Sequence, residues 1–243
     1  MQQNELVWVI MPVYNEEESL AHVLDEWLPV FRKNLNNFVF CVLNDGSKDK
    51  SLEIANQYAA QNPEIKVVDK PNSGHGQSCI FGYKLAIENN ADWVFQMDSD
   101  GQCNPNYFAD LVKQSSQNQV VYGYRKTRDD GMKRFYISRI VSIFIWFATR
   151  VWVKDANVPY RFMHISTLKK VVDHVPKDFH LANILISTYQ KNTFGIKWVN
   201  IHFNDRFGGE PSVKLSLFAH HGLVMFRQLK AAYKAVKALQ KYK

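Results

Sequence analysis

The 243 residues include only three cysteines, Cys41, Cys79 and Cys103, far apart, with no CxxC pair and no histidine at ligand spacing. That scarcity excludes a disulfide framework and a zinc site, and it fits a reducing, cytoplasmic setting. No stretch reaches the ~18–20 uninterrupted apolar residues that a membrane-spanning helix needs. No basic segment followed by an apolar one precedes the strand-like residues after Glu5, so export by a signal peptide is not expected. There is also no Pro/Gly/Ser-rich linker, internal repeat or low-complexity tract. Hydrophobic residues at 46% and charged residues at 22% are ordinary for a folded soluble chain, and disorder is not expected away from the ends.

Acid is missing locally. Residues 1–210 hold all 23 Asp and Glu with 23 of the 30 Lys and Arg, whereas 211–243 hold seven Lys and Arg and no acid. The net charge of +7 therefore sits in the tail. A nucleic-acid-binding module would set its charge beside an aromatic sheet face, so nucleic acid is not an expected partner.

What the sequence does contain is alternation. The apolar runs 7–12, 39–43, 65–68 and 93–97 each end in polar or turn residues and read as buried parallel strands. Amphipathic stretches of helical length separate them at 19–34, 50–61 and 75–90. This order predicts an α/β protein with a mostly parallel, twisted, Rossmann-like sheet flanked by helices. Ligands of such sheets lie outside the carboxyl ends of the strands. Four polar motifs stand there: Tyr14-Asn15-Glu16, Asn44-Asp45-Gly46-Ser47, Lys70-Pro71-Asn72-Ser73-Gly74 and Asp98-Ser99-Asp100. Further on, a strand at 120–122 leads into Gly123-Tyr124-Arg125 and a long apolar, aromatic helix at 132–153. Short elements follow at 160–165, 180–192 and 196–203, with helical segments from 213.

Two carboxylates at i and i+2 behind a buried strand would both need desolvation and would repel each other, a conflict that a divalent cation resolves. Asp98, Asp100 and the amide oxygen of Gln102 form an all-oxygen set suited to Mg²⁺ or Mn²⁺, which commonly complete their shells with phosphate oxygens. The plain alternative is a solvated acidic turn. Asn44 to Ser47 suits a helix cap equally well. Beside Pro12, Tyr14 and Glu16, which offer an aromatic face and a carboxylate, the same turn suggests a nucleoside pocket.

Taken together, these motifs resemble glycosyltransferase family 2, the inverting enzymes with a GT-A fold, and within it the dolichyl- or polyprenyl-phosphate mannosyltransferases. The resemblance runs over about residues 7–214 through Pro12 to Glu16, Asn44 to Ser47, Asn72-Ser73-Gly74-His75-Gly76, and Met97-Asp98-Ser99-Asp100-Gly101-Gln102. Less specific matches follow at Gly123-Tyr124-Arg125, at Arg139, from Asp155 to Arg161, and at Asp205-Arg206-Phe207-Gly208-Gly209-Glu210. It implies a catalytic domain over 1–212 with a tail at 213–243. Pro12, Tyr14, Glu16, Asp45, Gly76, Asp98 and Ser99 would bind the nucleotide sugar. Asp98, Asp100 and Gln102 would hold the metal, and Asp100, Arg125, Arg139 and Arg206 would carry catalysis. Arg125, Arg139, Arg206 and Lys214 would hold an acceptor phosphate. The chain departs from the pattern at Gly209-Glu210-Pro211-Ser212-Val213-Lys214, where a proline is added, and at Ala182-Asn183, where relatives carry a glutamate.

That second departure has a chemical consequence. A sugar hydroxyl needs a base to attack, whereas a lipid phosphate is already an anion and needs cationic alignment instead. The expected reaction is therefore transfer of a hexosyl unit from a GDP- or UDP-sugar to a polyprenyl phosphate. The alternative is a family 2 enzyme acting on a saccharide or glycolipid hydroxyl, with a base at Asp178, His180 or His202. A nucleotidyltransferase would want a Gly-rich triphosphate loop after the first strand, and Pro12 to Glu18 lacks one.

Two segments bear on membranes. Ile140 to Ala148, flanked by Arg139 and Arg150, suits either a buried helix or one lying in the interface. In the tail, Phe218, Met225, Leu229, Ala232, Val236 and Leu239 fall at helical spacing, with Lys230, Lys234, Lys237 and Lys241 elsewhere on the helix. Such a basic amphipathic helix suits an anionic membrane surface; it also suits packing on the body or binding a partner. The expected location is the cytoplasmic membrane face, peripherally bound.

Overall fold

The computed structural model describes residues 4–129, 132–176, 179, 181–207 and 215–238, with side chains omitted at 128, 132–137 and 215–223. Its first half follows the alternation: β1 (Val7–Val13), α1 (Leu20–Asn34), β2 (Phe38–Asn44), α2 (Ser51–Gln61), β3 (Ile65–Asp69), α3 (His75–Glu88) and β4 (Trp93–Met97). After a 3₁₀ turn at Pro105–Tyr107 come α4 (Phe108–Ser115), β5 (Val120–Arg128), α5 (Met132–Thr149), β6 (Tyr160–His164) and α6 (Ser166–Lys169). A second 3₁₀ turn at Val172–His174 precedes α7 (Ala182–Thr193), β7 (Lys197–Phe203) and α8 (Leu215–Ala238).

The seven strands form one sheet in the order β3-β2-β1-β4-β6-β5-β7. β1 pairs in parallel with β2 and β4, and β2 with β3. Between β4 and β5 runs β6, antiparallel to both, while β5 and β7 are parallel. The sheet is thus mixed, more so than alternation alone predicts. Chain order reverses at β1 and β4, the switch point where open α/β sheets bind ligands.

Every residue of β1 and β4 is buried, which is why both read as continuous apolar runs. One face carries an aromatic cluster: Phe31 of α1 stands edge-on to Phe108 at 5.1 Å, and Phe95 to Tyr160 at 5.2 Å. On the other, α3 approaches so closely that a Cβ on Gly82 would meet Ile10 Cγ2 at 2.4 Å. All three cysteines are buried and free.

Three differences from the sequence pattern have local causes. β5 continues to Arg128 because β7 pairs along it, with an irregularity between Arg125 and Thr127. α5 stops at Thr149 because Arg150 turns left-handed at φ +63°. α4 is an additional short helix; Phe108, Leu111 and Ser115 give it a buried face. In the tail, Met225, Leu229, Ala232, Tyr233 and Val236 are buried where α8 lies against α5 and α7, and Phe144 meets Phe226 edge-on at 5.5 Å. The described part of the tail's apolar stripe is thus spent on the body, the second of its three possible uses. Leu239 and Lys241 lie outside the described residues, as does the side chain of Phe218. Among the described residues, no helix is long and apolar enough to cross a membrane.

Candidate active site

The four turns that follow β1 to β4 are stapled to one another. Asn15, in the left-handed conformation at φ +53°, receives Ser47 Oγ on its backbone N–H at 3.1 Å and accepts from Lys48 N–H through Oδ1 at 2.8 Å. Beside it, Glu16 N–H donates to Ser51 Oγ at 2.8 Å. The second and third turns meet at Asp45, whose carboxylate accepts from the N–H groups of Ser73 at 2.9 Å and Gly74 at 3.0 Å and pairs with Lys70. The first and fourth turns join through Ser99, which donates to the Pro12 carbonyl at 3.0 Å while its own carbonyl accepts from Ser19 Oγ at 2.9 Å.

At the centre is the carboxylate turn. Gly101 has φ +76°, which lets the chain double back so that Asp100 and Gln102 are both buried, and Gln102 N–H donates to Asp100 Oδ1 at 3.2 Å. Burial first, and the neighbouring Asp98 second, push the Asp100 carboxyl up to about 7. Burial also pushes Glu16 up, against the downward pull of Arg206 and Ser19. Asp98 Oδ1 is buried without a hydrogen-bond partner, and His75 Nε2 stands 3.5 Å from it. Gln102 Nε2 donates to the Asn204 carbonyl at 3.1 Å, which turns its amide oxygen to the other side.

These groups fit a divalent cation: an orphaned carboxylate oxygen, a carboxyl strained by a like charge, and an amide oxygen. Among the described residues, no three His, Cys, Asp or Glu side chains cluster to hold a metal. The set is two carboxylates and one amide, so water and phosphate oxygens would supply the rest, as Mg²⁺ and Mn²⁺ accept.

The segment after β7 closes over this turn. Asn204 N–H donates to the Gln102 carbonyl and Phe207 N–H to the Asp100 carbonyl, both at 3.0 Å, and the Phe207 ring stacks on His22 at 4.7 Å. Arg206 Nη2 pairs with Glu16, and its Nη1 lies 3.7 Å from Asp100 Oδ2. The structure therefore places Arg206 and Glu16 on the carboxylate turn. Arg125 and Arg139 form a second group. Arg125 makes a two-pronged pair with buried Asp155 at 2.7 and 2.6 Å, over the Phe203 ring. Arg139 on α5 donates to Tyr124 Oη at 2.6 Å, and Lys154 Nζ lies 5.6 Å over the same ring. Cys103, just after the carboxylate turn, forms a β-bridge with Phe203, whose ring lies under Arg125. Tyr14 is exposed at the rim, Pro12 is buried in β1, and Gly76 lies in the first turn of α3.

Asp178, His180 and Lys214 lie outside the described residues. His202 Nδ1 is 2.9 Å from Thr127 Oγ1 and its Nε2 is 2.8 Å from Asp129 Oδ2, so both ring nitrogens are engaged in stitching β7 to β5. Arg161 is wholly buried and donates to the carbonyls of Val158, Ala156 and Asn183, holding the loop before β6 to the start of α7. Sequence reasoning gave no role to Lys70, His75, Ser19 or Phe207. Lys70 lies in the turn after β3 and His75 at the start of α3, and only their spatial partners, Asp45 and Asp98, single them out.

The sheet thus presents a carboxylate turn at its switch point, where open α/β sheets bind ligands. Residues 8–208 match Glycosyl transferase family 2, and the chain belongs to that family. Among characterised proteins, it is 34% identical over 209 residues to undecaprenyl-phosphate 4-deoxy-4-formamido-L-arabinose transferase of Pectobacterium atrosepticum, covering 83% of this chain and 61% of that protein. The Photorhabdus laumondii protein of the same name is 34% identical over 152 residues, 61% of this chain and 46% of that one. The chain thus spans about half to three-fifths of these relatives. Among solved structures, it shares its fold with glucosyl-3-phosphoglycerate synthase of Mycobacterium tuberculosis, at a TM-score of 0.67 and 19% identity, over 96% of this chain and 80% of that one.

Proposed function

We propose that this chain is a divalent-metal-dependent, inverting glycosyltransferase that moves a hexosyl unit from a GDP- or UDP-sugar to a polyprenyl phosphate at the cytoplasmic face of a membrane. The observation that carries the proposal is the pairing of a desolvated carboxylate turn, Asp98 to Gln102, with arginines on three separate elements. The relatives named above transfer a sugar to undecaprenyl phosphate, and the M. tuberculosis enzyme was solved with Mn²⁺ and UDP-glucose. The first supports the polyprenyl-phosphate acceptor, with a pentose derivative as the sugar, and the second supports a divalent metal with a nucleotide sugar.

In this mechanism the donor's diphosphate lies against Asp98, Asp100 and Gln102, with its nucleoside along the turns of Tyr14 and Asp45. Asp45 acts through the Ser73–Gly74 backbone that it fixes. A bound divalent cation would supply Lewis-acid charge to the diphosphate. Arg206 balances Glu16 and Asp100 and sits where it can follow charge as it moves to the leaving group. An oxygen of the acceptor phosphate, aligned by Arg125 and Arg139 and by Lys214 beyond the described residues, attacks the anomeric carbon from the face opposite the diphosphate. The C–O bond to the diphosphate breaks, the nucleoside diphosphate departs with the electron pair, and one displacement inverts the centre. No proton has to be removed, which accords with Asn183 at the start of α7.

The test is incubation of the protein with labelled GDP- and UDP-sugars, Mn²⁺ or Mg²⁺, and either polyprenyl phosphate or sugar acceptors. Label should enter the lipid extract, only with metal present. Label entering sugar acceptors alone would transfer the assignment to the hydroxyl-acceptor reading.

A further inference from the structure

Helix α5 buries one side and leaves the other bare. Ser142, Ile145 and Thr149 face inward and are buried, while Ile140, Ile143 and Phe147 recur at i, i+3 and i+7 on the opposite side at 64%, 46% and 56% exposure. Trp146 and Trp152 are exposed beside them, as is Val224 on α8, which lies against α5. Six of the nine exposed large hydrophobic residues of the described chain are thus on α5, the segment after it and α8. Scattered apolar residues need no explanation, but a concentration of them does.

Along α5 and α8 themselves the charge has one sign. Residues 132–154 contain five Lys and Arg and no acid, and 211–243 contain none either. Arg150 holds its guanidinium 5.0 Å over the Trp146 ring at one end of the stripe. Arg227 and Lys234 share the exposed side of α8 with Val224. A second copy of the chain would set one basic rim against another. An anionic bilayer would complement the rim and accept the aromatic side chains at headgroup depth. The face also adjoins the active site, since Arg139, assigned to the acceptor phosphate, precedes Ile140 on the same helix.

We propose that the Ile140–Ile143–Phe147 face of α5, with Trp146 and Trp152, docks into the headgroup boundary of an anionic bilayer and so brings the phosphate of a membrane-embedded acceptor to Arg139. The proposal rests on the acceptor reading given above. It moves the membrane contact from the stripe of α8, which is buried, to the stripe of α5, which is not.

Flotation of the full-length protein with vesicles of phosphatidylcholine containing phosphatidylglycerol tests it. The native protein should float, and Ile143→Glu/Phe147→Glu should bind at least ~10-fold more weakly, with an unchanged melting temperature. A milder Ile143→Ser/Phe147→Ser variant guards against misfolding and should lie between them. Arg227→Glu/Lys234→Glu should weaken binding to the anionic vesicles only. Equal flotation of native and Ile143→Glu/Phe147→Glu protein would overturn the proposal. So would absence of flotation combined with self-association that the double variant abolishes. Transfer to a short, water-soluble prenyl phosphate, measured without vesicles, should be equal in the native protein and the glutamate variant. Flotation split as expected with no such transfer would sink the acceptor reading and leave the docking face standing.

Discussion

Two regions meet at the ligand edge of the sheet, and they are held by different forces. The turns after β1 to β4 are locked by hydrogen bonds between near neighbours in space: Asn15 with Ser47 and Lys48, Asp45 with Ser73 and Gly74, and Ser99 with Pro12. The segments after β5 to β7 are held by arginines against acids and rings, namely Arg125 on Asp155, Arg139 on Tyr124 and Arg206 on Glu16. The first region is a fixed frame of the kind that preorganises a donor site. The second carries the positive charge that joining two anions requires, with each cation already given a partner that a phosphate could replace or share.

The sharpest way to break this comparison is Asp100→Ala. If the front region holds the donor diphosphate, kcat should fall on the order of 10³-fold. The melting temperature should not fall, because the substitution removes a buried carboxylate that Asp98 repels. A fall of less than tenfold would mean that the carboxylate turn is not where the chemistry occurs.

Next in size is Arg125→Met. It would leave Asp155 as a buried, unpaired carboxylate, and loss of one partner from such a pair costs about 3–5 kcal/mol, measurable by urea unfolding. Arg125→Lys should recover part of that stability and less of the activity, since lysine cannot make the two-pronged contact. Stability unchanged in Arg125→Met would show that Arg125 serves the acceptor alone.

Much of the front region was legible in the sequence because its information is local. A buried strand followed at once by Asp98-Ser99-Asp100 puts the motif at the sheet edge whatever the rest of the chain does. The back region depends on partners distant in sequence, as with Arg206 and Glu16, 190 residues apart. Composition cannot tell that Arg206 would join the carboxylate turn while Arg125 went to Asp155. The antiparallel insertion of β6 was hidden for the same reason, because its direction is set by pairing with β4 and β5, both distant in sequence. The amphipathic stripes of α5 and α8 look alike in sequence, and only packing shows which is covered.

That last point gives the third prediction. Leu229→Ala on α8 should cost about 3 kcal/mol, as expected for a fully buried leucine, and Lys230→Ala beside it within about 0.5 kcal/mol. Near-equal effects would mean that α8 is not part of the core and that its stripe is available elsewhere.

A fourth, smaller effect concerns pH. A carboxyl raised in the fold contributes stability that is full below its unfolded value and is lost as pH rises through its folded one. For Asp100, raised from 3.8 to about 7, metal-free protein should therefore lose stability between about pH 4 and 7, and Asp100→Asn should flatten that part of the profile. The loss is limited because Gln102 N–H and Arg206 both favour the ionised form. An identical profile in the two proteins would place the strain elsewhere.

The smallest effect should come from the stitch between β5 and β7. His202→Gln removes a hydrogen-bonded ring between Thr127 and Asp129 at a partly exposed site, where such contacts contribute about 0.5–1.5 kcal/mol. If His202 only ties the two strands together, kcat should change less than threefold and its dependence on pH not at all. If it takes a proton from an acceptor hydroxyl, kcat should instead fall on the order of 10²-fold in the variant. One residue at the seam of the back region thus separates an acceptor that arrives as an anion from one that must be made into a nucleophile.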